Sequence, residues 1–261
     1  MRIAVLGASG VAGRAFTTIA LGAGHELVTD RADLFDRSAL ERMLGGCDAA
    51  VNLATSIPRP GGRGDWAVND RIRREGTANL IEACLAARVP LLLQQSVAML
   101  LNHADDRPQV EDDAIHGYGR IASAADMEAL VRAAPLDGRL VRGGLFYGPG
   151  TGRAEAWAAE LADPGFRIPG DGSAWISPVH VEDYATALLA VLLHGRPREA
   201  VNACEDEPLR LTELYAGLAR RSGRNTPDSG GPPGLRSFRV ANKRLRDLGW
   251  QPRHALRASF S

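Results

Sequence analysis

Short apolar runs alternate along this chain with longer stretches of helical period, and the alternation continues through its first half. Residues 3–6 predict a short buried strand, and 11–21 a helix ended by Gly22-Ala23-Gly24. Residues 26–29 predict a second strand, 37–44 a helix stopped by Gly45-Gly46, and 48–54 a third, largely apolar strand. A Pro/Gly-rich loop at 57–64 precedes a long helix over 66–87. A further strand over 89–94 ends at Ser96, and a polar loop covers 102–113. A helix carrying Tyr118 is expected to run to about residue 133, followed by a strand over 138–145. Strands alternating with helices in this way predict an α/β fold built on a doubly wound parallel sheet.

One interval is too short for the usual pattern. Gly7 and Asp33 are 26 positions apart, and Glu26 and Arg37 only eleven. A parallel strand pair needs a crossover of about a dozen residues or more. The sheet is therefore expected to be one strand short at its edge, with the second strand feeding directly into the helix at Arg37. Past Tyr147 the pattern loosens, and Pro, Gly and Trp punctuate 148–178. The expected organisation is a dinucleotide-binding core over 1–147, rejoined by 179–203. Residues 148–178 and 204–261 would form a small C-terminal substrate lobe.

Composition narrows the function classes. At 261 residues the chain can bury one sizeable core. Acidic and basic residues balance at 31 each, which argues against nucleic-acid binding and against a polybasic membrane surface. No apolar run approaches the ~20 residues of a membrane span. Cys47, Cys84 and Cys204 lack metal-ligand spacing and read as reduced thiols of a cytoplasmic protein; no metal site is expected. Lys243 is the only lysine.

The chemistry begins at Gly7-x-x-Gly10-x-x-Gly13, which follows a strand and opens a helix. Gly7 allows the tight turn, Gly10 a close backbone approach to a pyrophosphate, and Gly13 close packing of helix on sheet. The first free N–H groups of the helix and its dipole then face the anion. Further along stand Asp33-Leu34-Phe35-Asp36, Asn52-Leu53-Ala54-Thr55, and Asn69 with Gly76-Thr77-Ala78-Asn79-Leu80. Arg142-Gly143-Gly144-Leu145-Phe146-Tyr147-Gly148-Pro149-Gly150, Val179-His180-Val181-Glu182-Asp183 and Leu248-Gly249-Trp250-Gln251-Pro252 follow in that order. In this order and spacing the series resembles the extended short-chain dehydrogenase/reductase family, the NAD-dependent epimerase/dehydratase group.

The resemblance implies a Rossmann-like fold and a bound NAD or NADP, with NAD slightly preferred. It places Gly7, Ser9, Gly10, Val11, Gly13, Asp33, Leu34, Leu53, Ala54, Thr55 and Gly144 against the cofactor. Asp30 beyond the second strand suits a ribose 2′-hydroxyl, whereas Arg31 or Arg14 would suit a 2′-phosphate. The family's reaction uses Ser or Thr, Tyr and Lys. Ser96 and Tyr118 match the first two, the serine having a strand-capping role as its alternative. Ala122 stands where the lysine is expected, four residues after Tyr118.

A free phenol has a pKa of about 10, so bringing one near 7 takes about 4 kcal/mol of differential stabilisation. Without the lysine, Tyr118 reads better as a neutral hydrogen-bond donor than as a base. His116 offers a substitute acid or base, or else a solvated loop residue. His180 and Asp183 read as organisers of a strand-to-helix turn. The implied activity is that of an NAD(P)-dependent oxidoreductase, epimerase or dehydratase acting on a small carbonyl- or hydroxyl-bearing metabolite. A non-redox enzyme (cyclisation, epimerisation or elimination) and a catalytically silent dinucleotide sensor are the alternatives. The partners expected are a small-molecule substrate and, by the same resemblance, a second copy in a homodimer.

Overall fold

The computed structural model describes residues 1–58, 64–102 and 106–260. Parts of the loops expected at 57–64 and 102–113 lie outside the described residues. The chain starts with β1 (Arg2–Leu6), α1 (Val11–Gly22), β2 (Glu26–Val28), α2 (Arg37–Leu44) and β3 (Ala49–Asn52). Next come α3 (Trp66–Arg71), a π-turn over Ile72–Gly76, α4 (Thr77–Ala87) and β4 (Leu91–Val97), then α5 (Ala122–Ala133) and β5 (Asp137–Gly143). Among the described residues the main sheet has six strands. The last of them along the chain is β10 (Ala200–Ala203), and the order runs β10-β5-β4-β3-β1-β2 with every pairing parallel.

Strand β2 is the edge, and no strand intervenes between it and α2. Asp36 ends the connecting segment and caps α2, its carboxylate accepting the Ala39 N–H at 3.0 Å. The shortened edge expected from the spacing is the one observed.

Strands β1 and β3 and the first half of β4 are buried on both faces, as their mostly apolar character requires. Alternate side chains feed two cores. Ile3, Val5, Val51, Leu93 and Val141 meet Phe16 and Ala20 of α1 on one face. Ala4, Leu6, Ala50, Leu92 and Leu140 meet Leu40, Leu44, Leu80, Cys84 and Val131 on the other. The result is three layers, helix on sheet on helix.

The second half adds β6 (Leu145–Tyr147), α6 (Arg153–Ala162), β7 (Ile168–Pro169), β8 (Trp175–Ile176), β9 (Pro178–His180), α7 (Val181–His194) and β10 (Ala200–Ala203). It closes with β11 (Leu209–Arg210), α8 (Leu211–Arg221), β12 (Ser229–Gly231) and α9 (Lys243–Asp247). A third core, with Trp157, Tyr215, Phe238 and Val240 at its centre, packs these pieces on Ala98, Leu101 and Leu145. No helix among the described residues is long and apolar enough to cross a membrane.

Three local expectations need correction. The strand expected over 138–145 divides, because β6 leaves the main sheet to pair parallel with β9. Gly144 is the hinge; a Cβ there would stand 2.2 Å from the Ser177 carbonyl oxygen. The helix expected over 66–87 is interrupted by the π-turn, which re-aims the residues between Ile72 and Gly76. Tyr118 is not on the helix that follows it. Its backbone is extended (φ −146°, ψ 149°), Gly119 has φ +44°, and α5 starts only at Ala122. Tyr118 and Ala122 therefore do not share a helix face.

Candidate active site

The turn after β1 is built by glycine at the points where backbone meets backbone. Gly7 has φ +78°, and a Cβ on it would lie 2.6 Å from the Ala54 nitrogen beyond β3. A Cβ on Gly13 would lie 2.1 Å from the Gly7 carbonyl oxygen. Gly10 donates its N–H to that same oxygen at 2.9 Å and then serves as N-cap of α1. Seated this way, α1 presents its first free N–H groups, beginning at Val11, at the carboxyl edge of the sheet. Strand order reverses there between β1 and β3, the position at which doubly wound sheets take their ligands.

Ser9 is exposed, and its carbonyl accepts the Arg14 guanidinium at 2.5 Å. Arg14 also lies against Gly150, which brings the loop after β6 up to the glycine turn. Leu53, Ala54 and Thr55 continue from β3 past Gly7, with Leu53 buried and Thr55 exposed. Asp33 is exposed and accepts the Phe35 N–H at 3.0 Å, while Leu34 is buried against Gly76. Gly144 is buried against Ser177, at the branch between β5 and β6.

The two residues matched to proton chemistry are directed to different partners. Ser96 is buried and donates its hydroxyl to Glu128 at 2.6 Å. Glu128 is held by Arg142 through two bonds of 2.9 and 2.8 Å, all three residues being buried. Burial alone would raise the Glu128 carboxyl, but the Arg142 bonds and charge outweigh it and hold the group below its usual value. Tyr118 faces the C-terminal segment instead: its hydroxyl accepts the Arg236 N–H at 3.2 Å, and the Arg236 guanidinium lies 4.3 Å from its ring centre. Lys243 is exposed and paired with Asp247, one helical turn on.

A narrow cavity opens between the carboxyl ends of β3 and β4 and the π-turn. Its lining includes Thr55, Arg73, Thr77, Gln95, Ser96 and Val97. Arg73 is 6 % exposed, and burial lowers the pKa of its guanidinium. The sequence motifs assign Arg73 no task. Asn69, Arg73 and Thr77 are spaced four apart and all three are buried, but Asp70, Arg71, Arg74 and Glu75 surround them in the sequence, so spacing alone does not single Arg73 out.

His180 caps α7, its Nδ1 accepting the Glu182 N–H at 3.4 Å, and Asp183 accepts the N–H groups of Arg253 and His254. His180, Glu182 and His254 offer three metal-ligand side chains within reach of one another. The two imidazoles stack at 3.6 Å and 18°, however, so their in-plane lone pairs run side by side rather than converging.

A family model described as the NAD dependent epimerase/dehydratase family matches residues 3–204, most of the chain, and the chain belongs to that family. A 3-diazoavenalumate denitrifying reductase of Streptomyces sp is 29% identical, with 97% of each chain covered. A dTDP-4-dehydrorhamnose reductase of Mycolicibacterium smegmatis is 27% identical over 84% of this chain and 66% of its own. Among solved structures, a dTDP-glucose 4,6-dehydratase from Streptomyces venezuelae with NAD and TYD bound superposes with a TM-score of 0.84. It is 20% identical, with 100% of this chain and 96% of that one covered. RMD from Pseudomonas aeruginosa, complexed with NADPH, gives 0.81 at 23% identity, covering 99% and 96%. At these identities the structural likeness establishes the fold.

Proposed function

We propose, from membership of the NAD-dependent epimerase/dehydratase family, that this protein is an NAD(P)H-dependent reductase of a small, activated metabolite. In this reading it works without a tyrosine–lysine proton relay. The observation that carries it is a contrast within one site. The glycine turn that would cradle a diphosphate is intact, down to glycines whose Cβ atoms would collide with backbone. The proton-handling group is not complete: Ala122 replaces lysine, Tyr118 faces Arg236, and the Ser96 hydroxyl is committed to Glu128.

Gly7, Gly10 and the first N–H groups of α1 would hold the diphosphate, with Arg14 beside them. Leu53 to Thr55 would flank the path toward β4. When bound, the dihydronicotinamide supplies a hydride to an electrophilic carbon, and where that carbon carries a leaving group such as dinitrogen, no proton from the protein is needed. The name of the Streptomyces relative describes a reductive, nitrogen-releasing reaction of a diazo acid, which is chemistry of this kind. The protein's own task is then to bind and orient both reactants and to keep water from the carbon.

A second reading, reduction of a nucleotide-linked keto sugar, is favoured by the dehydrorhamnose reductase relatives. It requires protonation of an alkoxide, for which Ser96 and Tyr118 are poorly directed. One assay separates the two: purified protein with NADH or NADPH, followed at 340 nm with an aryl diazo acid and with a dTDP-4-keto sugar. Oxidation with the diazo acid, retained in Tyr118→Phe, is the expected result. Turnover of the keto sugar alone, lost in Tyr118→Phe, would establish the second reading. The proposal extends to a homodimer through the outer faces of α4 and α5, where Leu85 is exposed; sedimentation equilibrium decides it.

A further inference from the structure

Arg73 is the buried charge that cofactor binding leaves unexplained. It sits in the π-turn, and its Nη1 donates to the Arg120 carbonyl and to the Ser123 hydroxyl, each at 3.2 Å. Among the described residues no carboxylate forms an ion pair with it. Asp70, the nearest acidic influence, takes the Ser123 hydroxyl at 2.6 Å instead. A guanidinium removed from water without a direct counter-charge is a stability cost. Its neighbour Thr77 is fully buried, lines the same cavity, and has a hydroxyl with no hydrogen-bond partner. The Gln95 side-chain oxygen is also unpartnered there, and that amide can present either its oxygen or its nitrogen. The cavity has room for about one oxygen-sized group.

A buried cation and an unpartnered buried hydroxyl facing one small space are what a single anionic oxygen requires. We propose that Arg73 and Thr77 form the substrate-anchoring end of the site and receive a carboxylate oxygen of an acidic substrate beside Ser96 and Val97. The charge that the chain lacks at position 122 is thereby supplied by Arg73, which is bonded to the neighbouring Arg120 and Ser123, as a fixed anchor rather than a proton carrier. The arrangement selects carboxylates over neutral isosteres of the same shape. This inference deepens the reductase reading and rests on it in one respect, that the cofactor occupies the adjoining groove.

The test is calorimetric titration of the full-length protein, saturated with NADP⁺ or NAD⁺, with benzoate and separately with benzamide, which has the same shape and no charge. The wild type is expected to prefer benzoate at least tenfold. Arg73→Met should lose that preference while melting at or above the wild-type temperature, because it removes an uncompensated buried charge. Arg73→Lys should keep part of the preference. Thr77→Val, which fills the same space without the hydroxyl, should weaken benzoate several-fold, and the remote Arg167→Gln should behave as wild type. A wild type indifferent to charge, an Arg73→Met that keeps the preference, or a Thr77→Val with unchanged benzoate affinity would each overturn the proposal. If Arg73→Met fails to fold, Thr77→Val and Arg73→Lys still decide. Failure of the wild type to bind either cofactor would defeat the reductase reading instead, and benzoate titrated into cofactor-free protein would still judge Arg73.

Discussion

Adding one methyl group at Gly13 should weaken cofactor binding about a hundredfold while leaving a folded protein. A Cβ there would stand 2.1 Å from the Gly7 carbonyl oxygen and 2.7 Å from the Ala8 Cα, where real contacts begin at 3.0 Å. Helix α1 must then retreat from the turn by 3.0 − 2.1 = 0.9 Å, since both atoms belong to backbone and neither can swing aside. A hydrogen bond of about 2.9 Å from a helix N–H to a phosphate oxygen would stretch to about 3.8 Å, beyond hydrogen-bonding range. Charge-assisted bonds of this type contribute about 1.5–3 kcal/mol each, so losing two weakens binding by about 3 kcal/mol or more, roughly a hundredfold. Overpacking of this kind also costs roughly 1–3 kcal/mol of stability. Gly22 is the internal control, being in the same helix with nothing within 4 Å of the point a methyl group would occupy. Gly22→Ala should leave affinity unchanged and add up to about 1 kcal/mol of stability. The assay is quenching of tryptophan fluorescence by NADH, with thermal denaturation alongside. Gly13→Ala binding within twofold of wild type would refute the reasoning.

Other outcomes follow from buried groups elsewhere. Glu128→Gln leaves the Arg142 guanidinium without its counter-charge in the core and should cost roughly 3–5 kcal/mol in denaturant unfolding; a loss below about 1 kcal/mol would mean that water reaches the pair. Burial pushes the Glu205 carboxyl up from 4.5 to about 7. The unfolded chain ionises first as pH rises, so stability should fall by roughly 3 kcal/mol between pH 4.5 and 7 and be flat above. Glu205→Gln should abolish that slope, and an unchanged pH profile of melting temperature would contradict the assignment. Tyr118→Phe should alter kcat by less than about threefold, whereas loss of a working acid or base costs about 10²-fold or more; stopped-flow absorbance at 340 nm distinguishes the two.

Much of this structure was legible where local spacing carries the information. The short interval from Glu26 to Arg37 leaves no room for a further strand and crossover, and the edge of the sheet follows from that count. The glycines of the first turn could be read because their context, strand before and helix after, is itself local. Contacts made across space were not legible in the same way. The division of β5 from β6 depends on Gly144 meeting Ser177, 33 positions away in the chain. Ser96 finds its partner in Glu128 of α5, where the motif alone offered it a substrate. Tyr118 illustrates a different limit: an i, i+4 argument presumes a continuous helix, and the positive φ of Gly119 breaks it. Arg73 was hidden because an arginine among many arginines carries no signal until its burial is known.

The most direct test of the account is calorimetric titration of the wild-type protein with NADH and NADPH. One dinucleotide should bind per chain, and ADP should compete with it, because the diphosphate at the α1 N-terminus carries the recognition. Absence of heat and of competition with every nicotinamide dinucleotide, from protein shown to be folded, would contradict it.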